Sequence, residues 1–423
     1  MISAAWKQRP IGELFDIGAG KTMSSAAREG AQKTPFLRTS NVLWDEIDIS
    51  TVDEMAIPPH ELAGKLVELG DLLVCEGGEI GRAAIWNGEI DPMSFQNHLH
   101  RLRPLADDVE PRFYVYFLYS AFTQMGIFEG VGNKTTIPNL SRNRLAALEI
   151  PHPDLDEQRD ITRALSHVRD AIKLHDRSTE TAHSLKRAAM RTLFTRGLKG
   201  EAQKDTEIGL VPESWEVSTL GGVSNIERGR FLHRPRNEPR FYGGDTPFVQ
   251  TGDVVRSGGR IREFTQSLNA DGVAISRVFP DGTILITIAA NIGYTGILQF
   301  DSACPDSLVA ITPNEKVTAE FLEYWLQTQQ PDMDRFASNG TQKNINIQFL
   351  LPWPVVVPSL DEQQEIVAIL DAIDRKIDLH SKKRAVLDEL FKALLHKLMT
   401  GEIRISDLDL SALAPARSAE AVA

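Results

Sequence analysis

Apolar residues across positions 358–401 return in a four-three rhythm: Ile366, Leu370, Ile373, Ile377, His380, Arg384, Leu387, Phe391, Leu394 and Leu398, eight of the ten being apolar. A period of 3.5 held over this many turns predicts a helix with a coiled-coil seam rather than an ordinary amphipathic face. Pro358, Ser359 as N-cap and Glu362 three positions on form the pattern of a capping box at its start. A seam needs a partner helix, and the chain holds one 205 positions earlier. There Pro153, Leu155, Asp156-Glu157-Gln158, Ile161, Leu165, Val168 and Ile172 match Pro358, Leu360, Asp361-Glu362-Gln363, Ile366, Leu370, Ile373 and Ile377 without a gap. Leu174, His175, Leu185 and Leu193 continue the match to Leu379, His380, Leu390 and Leu398, and Asp154 takes the N-cap place of Ser359. Two unrelated helices can share a heptad by chance, but not a matched cap, an Asp-Glu-Gln and a seam histidine as well. The chain is read as duplicated. Each helix, at about 40 residues and 1.5 Å per residue, would be roughly 60 Å long, which suits a spacer.

The duplication extends into the blocks between the helices. Trp6, Gly12, Ile17, Gly20 and Lys21 correspond to Trp215, Gly221, Ile226, Gly229 and Arg230; Pro35-Phe36-Leu37-Arg38-Thr39-Ser40-Asn41 corresponds to Pro247-Phe248-Val249-Gln250-Thr251-Gly252-Asp253. Leu72-Leu73-Val74-Cys75 answers Ile284-Leu285-Ile286-Thr287, and Phe113 and Tyr116 answer Phe321 and Tyr324. Short apolar runs bounded by Gly, Pro and Asp predict a mostly β module, with helices over 112–122 and 319–327. The expected fold is α+β: two mostly-β globular modules at 1–153 and 201–353, and two long antiparallel helices at 154–200 and 354–402 forming a coiled coil. A polar link at 200–211 joins the halves, and the Ser- and Ala-rich end, 403–423, is expected to be a flexible tail.

Composition is ordinary for globular protein, with 42% hydrophobic and 25% charged residues. No run of eighteen apolar residues and no basic, apolar leader is present, so a cytoplasmic protein without a membrane span is expected. Cys75 and Cys304 lack metal spacing and are read as reduced core or turn residues. The net charge of −12 argues against a simple nucleic-acid binder. Residues 1–153 carry 14 basic and 20 acidic side chains and 201–353 carry 13 and 19, whereas 154–200 carry 10 and 7. Contact with DNA would therefore need local patches, or help from other subunits.

Signs of catalysis are weak. Gly18-Ala19-Gly20-Lys21-Thr22 lacks the glycine five places before Gly20, where Phe15 stands, and reads as a tight turn rather than a phosphate loop. Ile57-Pro58-Pro59-His60 lacks the flanking residues of an adenine methyltransferase loop. His98 and His100 have no third ligand, and no nucleophile has a credible base, so no catalytic residue and no metal site is assigned. Polar loops are more suggestive. Arg228, Arg230, His233, Arg234, Arg236 and Arg240, followed by Arg256, Arg260 and Arg262, form the richest basic patch. Arginine forks suit phosphate oxygens and the guanine edge. Gln250 and Thr251 in one half, and Arg38, Thr39 and Asn41 in the other, lie on the matched Pro-Phe segment. A second loop ends each block, with Lys134 and Thr135 in the first and Gln342, Lys343 and Asn344 in the second.

The twin Pro-x-Leu-x-Glu-Gln helix starts, Ile208-Gly209-Leu210-Val211-Pro212 leading to Trp215, and Gly340-Thr341-Gln342-Lys343-Asn344-Ile345-Asn346 together resemble the specificity subunit of type I restriction–modification enzymes over about Trp6 to Ile403. Gly132-Asn133-Lys134-Thr135-Thr136 matches the loop pattern only loosely. The resemblance implies two target-recognition domains, each reading one half of an asymmetric bipartite site in double-stranded DNA. It also implies helices that dock two modification (adenine methyltransferase) subunits, and restriction (translocase–nuclease) subunits in the same complex. S-adenosylmethionine, ATP and Mg are then expected on those partners and no cofactor on this chain. The alternatives are a free-standing bipartite DNA-binding protein and a coiled-coil interaction scaffold without nucleic acid.

Overall fold

The computed structural model describes residues 6–126, 139–337 and 344–408. The chain forms two compact units, one of Met1–Asp176 with Ser381–Ala423 and the other of Arg177–His380. Their limits fall inside the long helices Leu155–Arg196 and Leu360–Thr400 rather than at the helix ends. Each helix lends one half to each unit's core.

In the first unit an antiparallel sheet runs in the order Phe15–Ala19, Leu99–Pro104, Leu72–Cys75, Ala83–Ile85. Leu72 and Val74 belong to the core made with the helix Pro111–Thr123 and with Ile161, Leu165 and Val168. Leu73 and Cys75 join Trp86, Phe95 and Leu99 in a separate cluster. Alternate side chains of a strand point to opposite faces, so covering both faces demands an unbroken apolar run. A smaller sheet of Asp53–Ala56, Lys33–Leu37 and Ser94–Phe95 stands beside it, and Lys7–Pro10 pairs with Glu149–His152 to bring the module's start beside its end.

The second unit repeats this order with Ser224–Arg228, Leu308–Pro313, Ile284–Thr287 and Thr295–Leu298, and adds Arg260–Ile261 in parallel at the edge. Ile284 and Ile286 pack in the core that holds Phe321, Tyr324, Ile366 and Leu370, while Leu285 joins Val249, Val254 and Phe279. Its smaller sheet comprises Gln266–Leu268, Tyr242–Phe248, Ser302–Ala303 and Val278–Phe279, and Glu216–Thr219 pairs with Pro354–Val357. The duplication thus holds at the level of strand order.

The long helices pack against each other as an antiparallel coiled coil. In the first unit buried Ile161, Leu165 and Val168 share a core with Phe391, Leu394, Leu395 and Leu398. In the second, Met190, Leu193 and Phe194 share one with Ile366 and Leu370. The seam is apolar and tight at these ends. Towards the middle Ile172, His175, Ile373, Ile377 and His380 are only half-buried, and Arg384 is exposed beside Asp176 at 3.4 Å.

The matched Asp-Glu-Gln has the same duty in both halves. Ser359 caps the second helix by accepting from the Glu362 N–H at 3.4 Å, but Glu362 turns its carboxylate away from the expected capping box. It accepts from Leu198 N at 3.0 Å and from Trp215 Nε1 at 3.2 Å, with Lys199 Nζ also at 3.2 Å. Glu157 likewise accepts from Trp6 Nε1 at 3.0 Å. Gly197, which follows the first helix at φ +60, leaves room for this carboxylate; a Cβ there would lie 2.7 Å from Glu362 Oε1. Gln158 and Gln363 are fully buried, and each tethers the stretch before the module helix to the long helix. Gln158 donates to the Asp108 and Pro153 carbonyls and accepts from Glu110 N; Gln363 donates to the Lys316 and Pro358 carbonyls and accepts from Thr318 N. A buried amide that satisfies three backbone groups at once cannot be traded for an apolar residue without orphaning them.

Two local expectations, the end of one helix and the tail, are corrected, and the link between the halves gains detail. The helix 319–327 continues to Ala337 through Pro331, because burial of Met333 and Ala337 outweighs the hydrogen bond a proline forfeits. The link 200–211 contains a hairpin, Gln203–Thr206 with Gly209–Pro212. Of the expected tail, Ile403, Ile405 and Leu408 pack against the first unit's core, while 409–423 lies outside the described residues.

Candidate nucleic-acid interface

The second module's basic patch grows from the end of the strand Ser224–Arg228. Gly229 presses so close to the loop after Ser302–Ala303 that a Cβ would stand 2.3 Å from the Pro305 carbonyl oxygen. Only glycine fits there, and it places Arg228 and Arg230 on either side of that loop. Arg230 N donates to the Cys304 carbonyl at 2.9 Å and Arg230 Nη2 to the Ser276 carbonyl at 2.8 Å. Arg228 Nε donates to the Asp306 carbonyl at 2.7 Å, Arg234 Nη2 to Asp306 Oδ2 at 2.8 Å, and Arg236 Nη2 to Asp306 Oδ1. Partial burial and then repulsion from Arg234 lower the Arg236 guanidinium below its ordinary range. Beneath lies an aromatic floor of Phe231, Phe241 and Phe248, with Arg240 stacked over Phe241 at 4.5 Å. Such stacking fixes an arginine without consuming its donors.

The same loop holds the matched Pro-Phe segment. Thr251, the first residue of the helix Thr251–Arg256, meets Ser307 Oγ at 3.3 Å, and Gln250 is tied to Asp253 through its backbone N–H at 2.8 Å and to Gln266 through its side chain at 3.1 Å. Arg256 is 65% exposed and reaches Asp253 at 2.7 Å; Arg262 and Asn344 are exposed. The structure thus brings Arg230, Arg234, Arg236 and Thr251 together around residues 304–307. Nothing marked Asp306 or Ser307 in the sequence, where Asp306 stands about 70 positions from Arg234 and Arg236 and Ser307 stands 56 from Thr251.

Two residues of the expected set have other duties. Arg260 lies inside the second unit, 3.3 Å from both Glu323 and Asp371 and over the Tyr324 ring. Its charge is answered by the fully buried Glu323, whose carboxyl burial pushes up to about 7. Asn41 is buried; its Oδ1 accepts from Arg38 N, and its Nδ2 donates to the Asp48 and Thr51 carbonyls at 2.8 Å each. Both therefore leave the candidate interface.

In the first module Arg38 pairs with Asp53 at 2.8 Å, and the half-buried Thr39 offers its carbonyl to Arg82 Nη2 at 2.8 Å. Lys21 pairs with Glu61 at 2.7 Å, and Gly20 repeats the close approach of Gly229, here to the Gln96 carbonyl. The glycine-rich turn is therefore a packing device. His100 is buried against the Leu140 carbonyl. Among the described residues no group of His, Cys, Asp and Glu could hold a metal ion, and no helix is long and apolar enough to cross a membrane. Lys134, Thr135, Gln342 and Lys343 lie outside the described residues.

The model of the type I restriction modification DNA specificity domain matches this chain twice, at residues 4–182 and 212–389. The putative type I restriction enzyme MjaX specificity subunit of Methanocaldococcus jannaschii is 28% identical over 410 residues, covering 95% of this chain and 94% of that protein. The type I restriction enzyme HindI specificity subunit of Haemophilus influenzae is 22% identical over 481 residues, covering 94% and 99%. In fold, the type I S subunit from M. genitalium superposes with a TM-score of 0.58 at 18% identity, over 94% of this chain and 97% of that one. A chain solved in a study of complex assembly and conformational transition of the type I R-M system gives 0.60 at 20% identity, over 95% and 100%. Two family matches, one per module, fall on the two copies of a single strand order joined by a helix pair: the chain belongs to the type I restriction–modification specificity family, whose members are the non-catalytic specificity subunits of those systems.

Proposed function

We propose that this chain supplies the DNA address of a type I restriction–modification complex, with each module reading one half of an asymmetric, two-part site. The observation that carries the reading is one framework presented twice with differently charged outer loops. A shared frame with unlike loops is how one fold comes to bind two different sequences. Arg230, Arg234, Arg236, Gln250, Thr251, Arg256, Arg262 and Asn344 are the second module's candidates, and Arg38 and Thr39 the first's; Lys134, Thr135, Gln342 and Lys343 remain candidates on sequence grounds.

The helices act as a ruler in this reading: half-site centres separated by about one helical turn of DNA, roughly 10 bp, would let two modules meet one face of the duplex. They also dock two modification subunits. Support for docking comes from Leu174, Leu185, Leu379 and Leu390, which stand exposed at matched positions on both helices. S-adenosylmethionine, ATP and Mg belong to the partner subunits, including any restriction subunits. Those partners share the work of holding DNA, which makes an acidic chain tolerable.

The test is to sequence methylated adenines in cells carrying the modification subunits with the wild-type chain, with R234A/R236A, or with no chain. The wild type should mark one asymmetric two-part sequence, and the double variant should weaken or relax reading of its second-module half alone. Methylation that is indifferent to the chain's presence refutes the reading. Deleting one heptad from a helix should alter the spacer and leave both half-sites legible.

A further inference from the structure

Three guanidinium groups meet at Asp306, a residue with one negative charge. Arg228 holds its carbonyl, while Arg234 and Arg236 each take one oxygen of its carboxylate. The nearby carboxylate of Glu227 is engaged by Arg277. Asp306 remains 33% exposed and Arg234 51%, so the cluster lies at the surface and not in a core. Among the described residues the first module has no such arrangement. Because Gly20 meets the Gln96 carbonyl as Gly229 meets that of Pro305, the residue in the place of Asp306 is the neutral Asn97, and Lys21 is answered one to one by Glu61.

A carboxylate and a phosphate offer an arginine fork the same thing, paired anionic oxygens in a plane it can grip. We propose that Asp306 is a positioning residue for specificity, a built-in stand-in for a backbone phosphate. It aims Arg234 and Arg236 before DNA arrives and cancels part of their charge. A duplex must displace it, so phosphates alone bind poorly and only a sequence that adds base contacts gains a net advantage. Discrimination of this kind comes from weakening the wrong complex rather than strengthening the right one. The inference rests on the reading of the second module as a DNA reader.

The full chain, as wild type, D306N and D306A, is titrated with a fluorescent random-sequence duplex across a salt series. Both variants should bind it more tightly at low salt. The slope of log K against log salt should steepen by roughly one to two, since each freed guanidinium adds about 0.9. A residue that merely held the loop in shape would lower affinity and leave the slope alone. D306N is the isosteric control should D306A fail to fold. Tighter binding with a steeper slope supports the proposal; an unmoved slope in both variants, with wild-type binding intact, overturns it alone. A wild-type chain without salt-dependent affinity for the duplex overturns the DNA reading, and this inference with it.

Discussion

Where they meet the long helices the two modules use the same residues, and at their outer loops they carry different charges. Trp6 with Glu157 and Trp215 with Glu362, Gln158 and Gln363, and Tyr116 and Tyr324 are one set of joints made twice. Even there the surroundings drift. Tyr116 OH meets Asp45 and Ser166, whereas Tyr324 OH meets Asp371 and Asp374. The residue before each tyrosine is fully buried, yet it is Val115 in one module and Glu323 in the other. Geometry fixes the joints, because a buried amide or indole has few ways of being satisfied. It leaves the loops free to differ.

Substitutions can break or sharpen this comparison. The largest effect should come from Trp215→Ala. It empties a fully buried site and removes the indole donor of Glu362, which should cost about 3–5 kcal/mol. Trp6→Ala, at the matched but half-buried site, should cost clearly less. Urea unfolding of the two variants decides this, and equal losses would mean that the joints are not graded by burial.

Next comes pH. Burial raises the Glu323 carboxyl from 4.5 to about 7, so the folded unit holds that proton more tightly than the unfolded chain does. The stability so gained is complete below the unfolded value and is lost as pH rises through about 7, on the order of 3 kcal/mol. Urea unfolding across that window should show E323Q losing less stability than the wild type as pH rises. Parallel profiles would contradict the assignment. Val115 gives the first module no counterpart.

Gln158→Ala and Gln363→Ala should each cost about 1–3 kcal/mol, and by similar amounts, because each strands equivalent buried backbone groups. A clear inequality in their urea midpoints would undo the equivalence of the joints. The smallest effect belongs to the ion pairs across the helices. Arg384→Ala removes an exposed pair with Asp176 and should change stability by about 0–1 kcal/mol. Lys186→Ala should cost more, since Lys186 is 12% exposed, reaches Asp374 at 2.8 Å and lies over Tyr324. Equal shifts in thermal midpoint would break that ordering.

The duplication could be read from the chain because the joint residues recur at a fixed offset and do identical work. The two-faced strand Leu72–Cys75 was legible for a similar reason, its unbroken apolar run having only a buried solution. The middle of the seam was less so. Ile172, Ile373 and Ile377 keep the heptad, yet are half-buried: Ile172 sits at the edge of the first unit's core, and Ile373 and Ile377 belong to neither core. Periodicity reports a face, not how much covers it. At the candidate interface the basic patch was visible, but its organiser was not, since a lone aspartate far along the chain carries no pattern. Asn41 and Arg260 misled for the opposite reason. An asparagine that caps a turn and one that reads a base look alike in sequence, and so do an arginine facing DNA and one facing a buried glutamate.

The first unit takes Phe391, Leu394, Leu395, Leu398 and Met399 from the end of the second helix, so its core is not contiguous in the chain. On the ribosome the amino-terminal half must therefore wait, its apolar wall open, while Arg177–His380 is made. At about 5–20 residues per second that interval is roughly 10–40 s. A message cut short before codon 381 would yield a module with no lid for its interior, a natural substrate for chaperones and proteases.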